Sequence, residues 1–365
     1  MSVRNIISAL LSVALLLFGG CTRVPVPDKT DSQAIGFSAG SMVLTSETKT
    51  ADFKEGSTFA QGNKFVVYGC KNGDTNHPIF EGKEVQMTTE TPEVWSYTPL
   101  KYWDWENVSD YYDFLGVYPT GKSSRMDISG TLAVKADYDI YKNGGSPDNF
   151  DLMMAGMRRR GNLSDVHRLA VIPLQFVHRL CAVRVIVTNV SKTADVKLEH
   201  YCFRDVIYKG SAKLSIDAMD QPEHVWINAL RNHAYTDIRK VTVNQTYKNK
   251  LEQPVATDRT YVGNFDFFIP GDLSETSNGS SDEDYMPHLI LKYSHTIGDV
   301  TTNDAAVEIL LKDVLRENGT PINTWEAGIK YTYHVTIRVD GGVMVKLYTT
   351  YWDDVTAETP GLLIH

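Results

Sequence analysis

Three kinds of residue in this 365-residue chain could do chemistry: scattered histidines, short acidic runs, and aromatic rings set among carboxylates. His178 lies inside the strongest alternating segment, where a structural histidine is expected. His167 could join it at a metal, but no carboxylate or Cys completes a recognisable ligand spacing. Asp282-Glu283-Asp284 offers oxygen ligands for calcium without the alternating spacing of a dedicated loop. It reads as solvated, and Trp352-Asp353-Asp354 reads the same way. The aromatic block holds Trp95, Tyr97, Tyr102, Trp103, Trp105, Tyr111, Tyr112, Phe114 and Tyr118, interleaved with Asp104, Glu106, Asp110 and Asp113. Rings can stack on the apolar face of a sugar while carboxylates take its hydroxyls, which makes Trp95, Trp103, Trp105 and Tyr111 candidate glycan contacts. Large rings also build the cores of β-domains, and that reading is preferred. The chain has no Gly-x-Ser-x-Gly elbow, phosphate loop or His-Glu-x-x-His. No catalytic residue, metal or cofactor is expected, so the chain reads as a non-enzyme.

The first residues point to a compartment. Arg4 precedes an apolar stretch from Ile6 to Phe18, and Gly19-Gly20-Cys21 follows. That order describes a secretory signal over residues 1–20. Cys21 after two glycines resembles a bacterial lipobox, so Cys21 is expected to be acylated and to hold the protein on the outer membrane. Residues 21–33, Pro-bearing and polar, then form a tether. The formal charge of −9 argues against a nucleic-acid partner. Beyond Cys21 only Cys70, Cys181 and Cys202 remain. Cys181 and Cys202 could face each other on neighbouring strands, but three buried, reduced thiols are expected.

The elements that must position these groups are strands. Ile35, Phe37 and Ala39 alternate with small residues. Phe65 to Tyr68, Val94 to Tyr97, Lys101 to Trp105 and Tyr111 to Tyr118 continue the series between Gly and Pro punctuation. Leu174 to Val187 alternates most strongly, with a phase slip of the kind a β-bulge makes. Lys197 to Phe203, Val241 to Val243, Phe265 to Ile269, His288 to Tyr293, Val307 to Leu311, Tyr331 to Val339 and Val343 to Tyr351 follow, the last two joined by a Gly341-Gly342 turn. Asp220 to Arg231 is the one candidate helix. Turn residues every 8–12 positions mark an all-β chain of β-sandwiches. The Gly-, Ser- and Asp-rich stretch 119–165 divides it into tandem domains, 34–165 and 166–365.

Several of these blocks carry a family resemblance. Phe65-Val66-Val67-Tyr68-Gly69, Trp95-x-Tyr97-x-Pro99-x-Lys101-Tyr102-Trp103, Tyr112-x-Phe114-x-Gly116-x-Tyr118-Pro119 and Phe176-x-His178-x-Leu180 stand in order. Lys49-Thr50-Ala51 before Phe59 and Trp325-x-x-Gly328-x-x-Tyr331-x-Tyr333 fit the same series. Together they resemble the fimbrillin family of Bacteroidales, of the Mfa-like kind. The resemblance implies a lipoprotein precursor with two transthyretin-like β-sandwich domains, serving as a subunit of cell-surface fimbriae and in adhesion. It implies proteolytic loss of an N-terminal strand and its replacement by a strand of another subunit. The leading strand would be Ile35 to Val43. No Arg lies between Arg23 and Arg125, so Lys49 is the candidate cleavage residue. The implied partners are other fimbrial subunits, membrane lipid through Cys21, and a host or bacterial surface glycan or protein. The alternative is a surface glycan-binding lipoprotein that does not polymerise.

Overall fold

The computed structural model describes residues 33–42, 59–128, 130–141, 148–231, 238–252, 256–339 and 342–351. In chain order its strands begin with β1 (Phe37–Met42), β2 (Lys64–Lys71), β3 (Phe80–Glu90), β4 (Glu93–Ser96) and β5 (Tyr111–Tyr118). There follow β6 (Ser123–Ile128), β7 (Thr131–Asp139), β8 (Met153–Arg160), β9 (Ile172–His178) and β10 (Cys181–Asn189). Next come β11 (Ala194–Arg204), β12 (Lys209–Ile216), β13 (Pro222–Leu230), β14 (Ile238–Tyr247), β15 (Thr260–Val262) and β16 (Asp266–Phe268). The series ends with β17 (Gly271–Asp272), β18 (His288–Ile297), β19 (Val300–Leu310), β20 (Thr324–Trp325), β21 (Ile329–Arg338) and β22 (Gly342–Tyr351). Among the described residues the helical exceptions are one short helix, α1 (Asp165–Arg168), and three single-turn 3-10 segments. The chain is all-β.

The arrangement follows from two strands with no polar face. In β2 and β5 every residue from Phe65 to Cys70 and from Tyr112 to Val117 is buried. Successive side chains of a strand point to opposite sides, so both faces of their sheet must be covered. That sheet has seven strands in the order β1-β9-β8-β5-β2-β3-β4. A four-stranded sheet, β13-β12-β7-β6, shares one core with it: Val66, Tyr68, Leu115 and Val117 join Val134, Ala136 and Leu214. Phe65, Val67 and Phe114 belong to a separate core made largely of rings, which includes Phe37, Phe59, Phe80 and Phe176. Gly116 lets that core close, because a Cβ there would sit 2.9 Å from Phe176 Cζ. Farther along, β15-β10-β21-β22 and β14-β11-β18-β19 contribute Val185, Tyr333, Leu198 and Leu291 to the same core as the four-stranded sheet.

Several sequence expectations need correction. The phase slip in Leu174 to Val187 is not a bulge. The chain leaves one sheet at His178 and enters another at Cys181, so two strands of different sheets adjoin in sequence. Asp220 to Arg231 is not a helix but β13. Its entry is a turn in which Asp217 Oδ1 accepts from the backbone of Met219 and Gln221, with Asp220 at φ 65°. Lys101 to Trp105 forms no regular strand, only a bridge between Tyr102 and Ala34. The stretch 119–165 contains β6, β7 and β8, and a cut at 165/166 falls between β8 and β9, neighbours in one sheet. From beyond that cut, β12 also reaches back to pair with β7.

Phe114, fully buried among Phe37, Phe80, Trp103 and Tyr112, tests the ring core. Phe114→Ala should cost about 3–5 kcal/mol, the usual range for deleting a large buried ring. Urea unfolding of the purified variant measures it.

Candidate functional site

Residues 33–42 are held along both edges. On one side β1 runs parallel to β9, from Phe37 opposite Ile172 to Met42 opposite Val177. The Ile172 N–H donates to the Gly36 carbonyl at 2.9 Å. On the other side the Ile35 N–H donates to the Lys101 carbonyl at 2.8 Å and the Trp103 N–H to the Gln33 carbonyl at 3.1 Å. Tyr97 Oη donates to the Ile35 carbonyl at 2.7 Å, and the Ala39 N–H reaches Glu93 Oε1 at 3.5 Å. The segment thus spans between β9 and the residues that follow β4.

Its side chains alternate as the sequence does. Ile35, Phe37 and Ala39 are buried, while Gly36, Ser38 and Gly40 are half-buried. The Phe37 ring meets Phe65, Phe80, Tyr97 and Phe114 edge-on, at centroid distances of 6.3, 5.4, 5.8 and 5.7 Å. Beneath the strand lies a bed of rings with a pocket for Phe37. Without residues 33–42, the pocket and the backbone groups of β9 that face it would be uncovered.

The aromatic block supplies this bed. Trp95, Trp103 and Trp105 are buried at 8%, 4% and 7% exposure, so none offers a face to a sugar. Trp103 and Trp105 stack on each other at 5.3 Å, and Tyr112 meets both edge-on. Tyr111 is half-buried with the Arg158 guanidinium 4.3 Å from its ring centre. Two of the intervening acids, Asp110 and Asp113, are buried and bonded within the fold. Asp113 takes Arg158 at 2.6 and 2.9 Å. Asp110 accepts from Asn72 Nδ2 and from the backbone N–H groups of Glu106 and Asn107, with Lys71 Nζ 3.4 Å away.

The other candidates separate. His178 is buried and its Nδ1 meets Asp151, whereas His167 meets Ser164 beside the short helix. Asp282 Oδ1 accepts from the Asp284 N–H, and Glu283 pairs with Lys312. Cys70, Cys181 and Cys202 are buried, and none of them is in a disulfide among the described residues. Cys21, Lys49, Val43 and Trp352-Asp353-Asp354 lie outside the described residues. Sequence reasoning missed the parallel pairing of β1 with β9 and the attachment of residues 33–35 to 101–103. The period-two pattern identifies a strand but carries no sign of its neighbours.

Burial raises the Asp110 pKa, but its hydrogen bonds and Lys71 outweigh that effect and bring it down to about 2. A carboxylate held below its unfolded value stabilises the fold above that value, and the contribution is lost as pH falls through the folded pKa. Stability should therefore drop between pH about 4 and 2. Asp110→Asn should flatten this limb in urea unfolding measured across that window.

A fimbrillin-like family model matches residues 48–352. No curated protein matches the chain. Among solved structures, a fimbrial protein from Bacteroides vulgatus is similar at 15% identity and TM-score 0.48, covering 88% of this chain and 99% of its own. The C-terminally truncated tip fimbrial protein Mfa3 from Porphyromonas gingivalis is similar at 9% identity and TM-score 0.36, covering 80% of this chain and 95% of its own. With the family model spanning most of its length, the chain belongs to the fimbrillin-like family.

Proposed function

We propose that this protein is the lipid-anchored precursor of a fimbrial subunit, built from two transthyretin-like sandwich bodies and assembled at the cell surface by strand exchange. Fimbrillin-like proteins are structural and not enzymatic. Residues 1–20 act as the export signal, and Cys21 carries the lipid that tethers the precursor to the outer membrane. Cleavage after Lys49 then frees the segment that contains β1. The observation that carries this reading is the double attachment of residues 33–42 over a bed of rings. Backbone pairing is indifferent to sequence, so a strand from another subunit could take the same bonds, with its side chains filling the alternate pockets.

The donor would come from the C-terminal end. Strand β22 is an edge strand whose ten pairs with β21 run without a register shift, and residues 352–365 follow it. By contrast, the pairing of edge strands β13 and β14 shifts register, and they carry Asn228, Arg239 and Asn244 at positive φ. Such irregularities discourage edge-to-edge pairing. A strand of unbroken register at a sheet edge, its outer side bridged at Leu347 by Leu315 and Arg316, is suited to strand donation. The alternative of a sugar platform on the aromatic block gains no support from its buried tryptophans.

Two measurements test the proposal. Cys21→Ser should abolish lipid labelling and release the precursor from the membrane fraction; unchanged labelling would refute the anchor. Full-length precursor should run as a monomer in size-exclusion chromatography and form a ladder of oligomers after limited trypsin treatment. Deleting 343–365 should abolish the ladder. Trimmed protein that stays folded and monomeric would sink assembly by strand exchange.

A further inference from the structure

Arg179 lies between β9 and β10, where the chain passes from the seven-stranded sheet to the next, and only 7% of it is exposed. Arg159 leaves its Nε without a partner, but its guanidinium and those of Arg158 and Arg231 are held by acceptors. Arg158 holds Asp113 and Asp220, the Nη groups of Arg159 donate to the carbonyls of His167 and Val171, and those of Arg231 to the carbonyls of Asp205 and Asp272. The Arg179 guanidinium has no acceptor among the described residues, and its Nε is wholly buried. Burial alone lowers its pKa, to about 10, with no carboxylate acting against that loss. A second buried nitrogen without a partner lies on the neighbouring edge strand. His224 Nδ1 is buried without a partner, and the Arg179 charge adds to burial in depressing its pKa. Trp226, two residues along the same face of β13, donates its Nε1 to the Arg179 carbonyl at 3.1 Å. Edge strand β13 is thereby fixed against the junction, which holds the unpaired Arg179 Nε and the unpaired ring nitrogen of His224.

A buried charge without a counter-charge is costly, and removing one partner of such a pair is far more destabilising than replacing both. The Nε–Nη edge of a guanidinium matches a carboxylate in two parallel hydrogen bonds. A neutral imidazole carrying its proton on Nδ1 would add a third donor. We propose that Arg179 and His224 form a binding site for a small free carboxylate at the junction of β9, β10 and β13. The ligand would supply the counter-charge that this part of the fold lacks. It would couple the edge strand to the crossing between sheets.

The test uses the full-length protein in HEPES buffer of constant ionic strength, with sodium acetate as probe and sodium chloride as control. Near saturation, acetate should raise the melting temperature by about 3–5 °C, by mass action on the folded state. It should also change the Trp226 fluorescence, taken as the difference between wild type and Trp226→Phe. Both effects should disappear in Arg179→Met. If that variant does not fold, His224→Phe keeps the guanidinium and should weaken acetate binding at least fivefold. A wild-type protein indifferent to acetate would overturn the proposal. So would an equal response in Arg179→Met, or unchanged affinity in His224→Phe. An equal response to chloride would overturn the carboxylate assignment.

Discussion

The architecture depends on a sheet that must be covered on both faces. Strands β2 and β5 bury their side chains in both directions, so both faces of the seven-stranded sheet must be covered where these strands run. A second sheet covers one face. The other is closed by rings from its own strands and connections, and by residues 33–42 laid across them. Fully burying a Phe or Ile side chain contributes about 1.5–3 kcal/mol, and Ile35 and Phe37 both gain it here. A short segment near the N-terminus therefore supplies a share of the core that the sheet cannot supply itself.

Polar groups in the same region serve that closure. Asp113 and Arg158 pair in two hydrogen bonds at the inner end of β5 and β8, and Asp220 joins Arg158 and Arg160 from the turn before β13. The network ties the β12–β13 turn to the seven-stranded sheet. Removing one member would strand a buried charge, and such losses are large even where the intact pair adds little net stability. Asp110 plays the matching part at the loop before β5, where it takes up backbone N–H groups that would otherwise lack acceptors.

How much of this the sequence disclosed depended on burial. The apolar alternation of Ile35, Phe37 and Ala39 and the continuous runs of β2 and β5 were legible because each is buried in a regular pattern. Strand β13 was read as a helix because it is an edge strand without a continuous buried face, so its alternation is faint. The join of β9 to β10 imitates a bulge because both strands are apolar and only two residues separate them. For the aromatic block the sequence favoured core over sugar site without separating them, since both use rings beside carboxylates. Solvent exposure decides between them, and composition does not encode it. Arg179 and His224 gave no signal at all, because the want of a partner is a property of three-dimensional neighbours.

A strand that completes a core can be exchanged only if its replacement arrives in register. Backbone hydrogen bonds tolerate any sequence, so the pockets must set the alignment. Here Ile35, Phe37 and Ala39 point inward, and Gly36, Ser38 and Gly40 occupy the alternate positions. A slip of one residue would set glycine or serine over the ring pocket and turn the phenyl outward, undoing the burial of every inward side chain at once. A slip of two is also unfavourable, because the pocket made by Phe65, Phe80, Tyr97 and Phe114 would hold the Ala39 methyl group or the Ile35 side chain in place of a ring. The same rings that stabilise the closed chain thus specify what could replace its first strand: an extended segment with one large apolar side chain at the Phe37 position and a small one two residues on.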